Sequence, residues 1–186
     1  AGAMDQVCGA IGAGNIREGV VSETTGTCLI LGATTEQPQM CGGVSVYAHA
    51  LPGKYLYIGI VQTAGVIQKW FRDEFCRDLP PETAFAEMSR MAAEAPPLSR
   101  GVMLYPQFTG TPAPVADETA RGVYFGLGLD TGRDCLIRAL YEGVGYALRE
   151  NLDLMQIRPN WLISMGGGAK RDISISAIRS SVRSWR

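Results

Sequence analysis

Residues 27–61 read TCLILGATTEQPQMCGGVSVYAHALPGKYLYIGIV. Three apolar runs stand out in this stretch: Thr27–Ala33, Val44–Ala48 and Tyr55–Val61, punctuated by Gly42-Gly43 and Pro52-Gly53. Short blocks rich in Val, Ile, Leu and Tyr between turn residues read as strands, since β-branched and aromatic side chains fit a pleated surface. The short links between them predict an antiparallel meander. Directly afterwards the period changes. In GVIQKWFRDEFC (65–76), Val66, Ile67, Trp70, Phe71 and Glu74 fall at helical spacing. Strands handing over to helices in this way define an α/β or α+β layered domain.

Working outward, DQVCGAIGA (5–13) reads as a short helix with Asp5 at its N-cap. Residues 82–94 form a second helix, opened by acids and closed before Pro96-Pro97. Val102–Tyr105 is a short strand, and 106–121, rich in Pro, Thr, Gly and Ala, is an extended loop. The longest helix is Asp134–Met155, where Leu136, Ile137, Leu140, Val144, Ala147, Leu148 and Leu152 recur every three or four residues. Trp161–Ser164 reads as a strand running into Gly166-Gly167-Gly168. The last stretch, 170–186, places Ile175, Ile178, Val182 and Trp185 at helical spacing. It carries Lys170, Arg171, Arg179, Arg183 and Arg186 against Asp172 alone.

Composition excludes several classes. The 186 residues carry 17 Lys+Arg against 18 Asp+Glu, a formal charge of −1. That balance is unsuited to bulk phosphate neutralisation, so no nucleic-acid partner is expected. Five cysteines without a C-x-x-C pair, and His49 as the one histidine, argue against a zinc site or any other metal ligand set. Cys8, Cys28 and Cys135 lie in apolar or small-residue runs and are expected to be buried thiols. With no signal peptide and no long apolar stretch, no membrane contact is expected and the compartment is expected to be the cytoplasm. The sequence begins inside Ala1-Gly2-Ala3-Met4-Asp5, and we read it as a piece of a longer protein.

The chain holds 23 glycines, well above the usual ~7%. Three glycine turns stand at strand ends or before helices: Gly26-Thr27, Ala64-Gly65 and Gly166-Gly167-Gly168. Such turns let a backbone approach a ligand closely and direct helix N–H groups outward. None matches the P-loop or the dinucleotide fingerprint. Singly each is a structural turn; together they allow a nucleotide site. Asp5 is the acid–base candidate, although a carboxylate at a helix start also serves as a plain cap. Gln6 beside it can hydrogen-bond a polyol. The Trp70, Phe71 and Phe75 group is expected to be core.

Arg121-Gly122-Val123-Tyr124-Phe125-Gly126-Leu127, followed by the helix from Asp134 to Glu142-Gly143, resembles the second signature of the FGGY family of carbohydrate kinases. Asp5-Gln6, Gly26-Thr27, Trp70-Phe71-Arg72-Asp73 and Met165–Lys170 follow in family order. The likeness fades beyond Lys170, and Cys135 stands where the signature prefers a polar residue. His49 matches a family position and is taken as structural.

The resemblance implies an α/β fold of the ribonuclease-H-like (actin-like ATPase) type. It would be incomplete here, with a mixed sheet and flanking helices. It implies that residues 1–20 end an N-terminal lobe and carry the catalytic aspartate, and that 21–186 form a truncated, nucleotide-binding C-terminal lobe. Asp5 would be the general base, and Asp5 and Gln6 would contact the sugar. Gly26, Thr27, Gly65, Gly166, Gly167, Gly168 and Ala169 would line the ATP site. The implied activity is phosphate transfer from ATP, with Mg²⁺, to a sugar or polyol hydroxyl. A xylulose-like ketopentose is favoured over glycerol or gluconate, the piece alone is expected to be inactive, and a homodimer is allowed. The other reading of the same residues is a non-catalytic actin-like nucleotide-binding module that keeps the glycine turns without needing Asp5.

Overall fold

The computed structural model describes residues 2–40 and 42–167. Helix α1 (Asp5–Gly12) leads into a β1 (Val20–Thr25), β2 (Leu29–Thr35) hairpin, then β3 (Ser45–Ala48) and β4 (Tyr55–Val61). Helices α2 (Gly65–Phe75) and α3 (Ala84–Glu94) follow. Strands β5 (Met103–Tyr105) and β6 (Val123–Phe125), helix α4 (Arg133–Leu154) and strand β7 (Trp161–Gly166) complete the described chain. The main sheet has the order β3-β4-β2-β1-β7. Every pairing in it is antiparallel except β1 with β7, which is parallel. β5 and β6 form a separate antiparallel pair. The mixed sheet with flanking helices is the one expected.

Several expectations need correction here. The apolar runs do not form a meander, because β4 lies between β2 and β3. β4 is the strand that a central place requires, with Leu56, Tyr57, Ile58 and Val61 all buried. β3 is largely exposed and takes the edge. Strand β1 was not anticipated, since VVSETT breaks its apolar run with Ser22 and Glu23, both of which are nonetheless buried. Asp5 is the first helical residue of α1 rather than its cap, which is Met4. The Asp5 carboxylate accepts the N–H of Gln6 at 2.8 Å.

The two sheet faces are covered differently. Val21, Leu29, Leu31, Ala33, Tyr57 and Val61 form one face and pack with Ile137, Leu140, Val144, Leu148 and Leu152 of α4, and with Ile67 and Phe71 of α2. A fully buried aliphatic side chain contributes about 1.5–3 kcal/mol, so this layer dominates the fold. Leu56 and Ile58 face the other way and meet Val7 and Ala10 of α1. The far end of α1 is anchored by Asn15, which donates to Ser22 Oγ at 3.0 Å and to the Gly32 carbonyl at 2.9 Å.

Cys76 and Cys135 are buried, Cys28 is half-buried and Cys8 is exposed, against the expectation for Cys8. Cys8 sits on the outward side of α1, whose inward positions are Val7 and Ala10. Phe71 is core, but Trp70 and Phe75 are 36% and 50% exposed. They stack edge-on over the surface, with Trp70 also meeting Phe108 at 4.9 Å between ring centroids. Apolar residues adjacent on a helix cannot all face the core, and Phe71 takes the inward position. His49 is buried, and its Nδ1 accepts the Leu51 N–H at 3.0 Å, the role of a hairpin-organising side chain. Among the described residues no helix is long and apolar enough to cross a membrane.

Candidate nucleotide cleft

β1 and β7 run in parallel and end together, with Thr25 opposite Gly166. The carboxyl ends of parallel strands are where open α/β sheets leave room for ligands. Beyond these ends the chain turns at Gly26-Thr27 on one strand and Gly166-Gly167 on the other. The start of α2 arrives beside them, because β4 is antiparallel to β2 and ends at the same side of the sheet.

The Gly26-Thr27 turn is locked to the α2 N-terminus by three backbone bonds. Gly65 N–H donates to the Gly26 carbonyl at 3.0 Å, and Ala64 and Val66 N–H groups donate to the Thr27 carbonyl at 3.2 and 3.1 Å. Helix-start donors that would otherwise lack partners are thereby used to fix the turn. Gly166 has φ +79°, and a Cβ there would lie 2.6 Å from the Thr25 carbonyl. Only glycine satisfies both conditions.

The result is a cleft of about 510 Å³ lined by Thr25, Gly26, Thr27, Gly65, Val66, Gln68, Lys69, Phe85 and Gly167. Four of the sequence-derived positions, Gly26, Thr27, Gly65 and Gly167, meet there, with Gly166 forming the strand end beneath. Gly168 and Ala169, and the helical tail expected over 170–186, lie outside the described residues. Lys69 brings one cationic side chain to the lining. Phe85 brings an aromatic ring, which carries the Arg72 guanidinium 4.7 Å from its centroid.

Asp5 and Gln6 are not part of this lining. They belong to α1, on the opposite face of the sheet. Because Asn15 ties the distal end of α1 to Ser22 and Gly32, the first turn of α1 lies toward the end that carries the glycine turns. Gln6 lines a small hollow with Thr24 and Met165, the residues just before Thr25 and Gly166. Asp5 is exposed and belongs to none of the ion pairs among the described residues.

Sequence reasoning missed Thr25, Val66, Gln68, Lys69 and Phe85. Gln68 and Lys69 stand three and four positions after Gly65, so helical spacing alone puts them on its face. Phe85 arrives from another helix and carries no local signal.

Comparison with known proteins places the chain. The family model for the C-terminal domain of the FGGY family of carbohydrate kinases matches residues 20–178. The xylulose kinase of Bacillus subtilis is 28% identical over 177 residues, covering 92% of this chain and 35% of the relative. The glycerol kinase of Clostridium beijerinckii is 34% identical over 178 residues, covering 91% of this chain and 35% of the relative. In structure, xylulose kinase from Rhodospirillum rubrum superposes with a TM-score of 0.88 at 26% identity, over 96% of this chain and 36% of that one. The chain therefore spans about a third of the length of the relatives it matches. Its mixed α/β architecture is the actin-like ATPase fold of these kinases. The chain belongs to the FGGY family of carbohydrate kinases.

Proposed function

We propose that this chain is the nucleotide-binding part of an ATP-dependent carbohydrate kinase, with residues 1–20 ending the preceding lobe and 21–186 forming the C-terminal one. The observation that carries this reading is the convergence of two glycine turns, at the ends of parallel β1 and β7, with the α2 N-terminus on one cleft. Polyphosphates can approach a backbone closely where glycines keep side chains from intruding. Gly26, Thr27 and Gly65 meet the outer phosphates in this reading. Gly166 and Gly167, with Gly168 and Ala169 beyond, meet the adenosine. Lys69 offsets part of the triphosphate charge.

The transfer moves the γ-phosphoryl group of ATP to a sugar or polyol hydroxyl. Asp5 accepts the hydroxyl proton as the O–P bond forms and the bond to ADP breaks, and Gln6 holds a neighbouring hydroxyl. One positioned base contributes about 10²–10⁴-fold, and the remaining rate comes from alignment and charge stabilisation. Mg²⁺ would accompany ATP and offset part of its charge. Among the described residues no three His, Cys, Asp or Glu side chains group to hold a metal. A ketopentose of the xylulose type is the favoured acceptor, because xylulose kinases recur among both the sequence and the structural relatives. Glycerol and gluconate kinases also match. The cytoplasm is the compartment we propose for this reaction.

The test is Asp5→Asn in the full-length protein, with a sugar panel. ATP binding is expected to persist while sugar-dependent ADP release falls by about 10²–10⁴-fold. Wild-type turnover in that variant would remove Asp5 as the base. Failure of the unmodified protein to bind ATP would overturn the nucleotide reading.

A further inference from the structure

Thr63 stands at the junction of β4 and α2, immediately before Ala64-Gly65. A threonine just ahead of a helix ordinarily caps it. This one does not: Ala64 holds the N-cap position of α2, with no side-chain cap bond. The first α2 donors go instead to the Gly26 and Thr27 carbonyls. The Thr63 side chain is buried, and its hydroxyl turns to a segment 43 residues further along the chain. It donates to the Pro106 carbonyl and accepts the Phe108 N–H at 3.4 Å. The Phe108 N–H is shared with the Pro106 carbonyl at 3.1 Å, so one hydroxyl holds both ends of this turn.

Two neighbouring contacts reinforce the tie. The Gln62 carboxamide, oriented with its nitrogen toward the loop, donates to the Thr109 and Gly110 carbonyls, each at 3.3 Å. The Phe108 ring meets Trp70 of α2 edge-on, 4.9 Å between centroids. The stretch 62–66 is therefore gripped from two sides. The side chains of Gln62 and Thr63 hold loop 106–110, and the backbone of Ala64, Gly65 and Val66 holds the Gly26-Thr27 turn. α2 then presents Gly65, Val66, Gln68 and Lys69 to the cleft. The chemistry assigned to the cleft uses neither Thr63 nor loop 106–110.

We propose that Thr63 is a positioning residue: its hydroxyl anchors loop 106–110 to the β4–α2 junction and so holds the start of α2 against the Gly26-Thr27 turn. What the cleft then binds rests on the nucleotide reading; the anchor does not. Serine keeps a hydroxyl that both donates and accepts. Valine keeps the shape of threonine and makes neither bond, and alanine removes both bonds together with the branched side chain.

The experiment compares the full-length protein with its Thr63→Val, Thr63→Ala and Thr63→Ser variants by amide hydrogen exchange and by calorimetric titration with ATP. Two lost hydrogen bonds correspond to roughly tenfold in the local opening equilibrium. Exchange at 108–110 and at 64–66 is therefore expected to rise about tenfold in the Val and Ala variants, with α4 unchanged. ATP affinity is expected to fall by about three- to tenfold in both. The Ser variant is expected to stay within about twofold of wild type in both measurements. Unaltered exchange at 108–110 in the Val and Ala variants would overturn the anchor, and the Ala variant alone decides the matter should the Val variant not fold. A loosened loop with unaltered exchange at 64–66, or with equal and measurable ATP affinity in all four proteins, would overturn the positioning role. So would a Ser variant that behaves like the Val variant. Loosening at both segments in a protein whose wild type binds no ATP would support the anchor and sink the nucleotide reading instead.

Discussion

The carbonyl oxygen of Gly26 occupies the space into which a side chain on residue 65 would grow, and the Gly65 N–H donates to that same oxygen at 3.0 Å. The two glycines come from different elements, the β1–β2 turn and the start of α2. Their contact joins the sheet end to the helix that flanks the cleft. The obstructing atom is backbone, so relief requires movement of the turn rather than of a flexible side chain. Gly65→Ala is expected to destabilise the chain by about 1–3 kcal/mol, the usual range for overpacking, and to abolish ATP binding. Urea unfolding and calorimetric titration measure the two effects. An alanine variant with wild-type stability would show that the turn is not held by this contact.

A second site of strain lies away from the cleft. Leu98, Ser99 and Arg100 all have positive φ, +64°, +47° and +56°, in the turn Pro97–Gly101. The turn is held by Glu142 of α4, which accepts the Leu98 N–H at 3.2 Å and the Ser99 hydroxyl at 3.4 Å while pairing with Arg138 at 2.8 Å. Leu98 is 61% exposed, so its side chain gives up little burial on removal. Leu98→Gly relieves a left-handed conformation worth about 1–2 kcal/mol and loses part of that to glycine's greater chain entropy. The net expectation is a gain of about 1 kcal/mol in unfolding free energy. Glu142→Ala has the opposite sign. It strands the largely buried Arg138 and is expected to cost about 3 kcal/mol, as breaking one side of a buried pair does. Denaturant unfolding of both variants checks the pair of signs.

Elements whose signal is local were legible in the sequence. The regular apolar spacing from Leu136 to Leu152 defines α4, and the continuous apolar run of Tyr55–Val61 defines β4. What failed depends on partners distant in the chain. The position of β4 between β2 and β3 is a matter of which edge is buried, which no single run states. Strand β1 was hidden because Glu23 reads as a surface residue and is buried only once β2, β7 and the helices assemble around it. The glycine turns were found because glycine excess at strand ends is visible in one dimension. Phe85 was not found, because its place at the cleft is created by helix packing. Asp5 was legible as a helix-start acid, but its position on the opposite face of the sheet from the cleft is a tertiary fact.

The start of α4 is tied to the end of α2 by a forked ion pair, and this gives a pH signature. Arg133 donates to Asp78 Oδ1 at 2.5 Å and Oδ2 at 3.0 Å, and to the Phe75 carbonyl at 3.2 Å. The Arg133 guanidinium holds the Asp78 carboxyl below its usual range. A carboxylate whose pKa is lowered on folding contributes stability that is present above the unfolded value, about 3.9, and is lost as pH falls through the lowered one. Asp78→Asn should therefore trail wild type in urea midpoint at pH 7, and the gap should close below about pH 4. Because the pair is exposed, the gap should also shrink with added salt. A gap that widens on acidification would reverse the sign of the argument.

Among the described residues Lys69 is the one cationic side chain in the cleft lining, and it is exposed at the rim. Against a triphosphate its contribution is long-range attraction through water rather than a fixed bond. At ~4–8 Å in a surface environment such an interaction is worth about 1 kcal/mol. Lys69→Gln should weaken ATP binding by roughly fivefold at low ionic strength, and Lys69→Glu by more, since the reversed charge adds repulsion. Both differences should diminish at about 0.5 M salt, where the screening length falls to a few ångströms. AMP, carrying fewer charges, should discriminate less between the variants than ATP does. Equal loss for AMP and ATP, or a loss independent of salt, would mean that residue 69 acts through the shape of α2 and not through its charge.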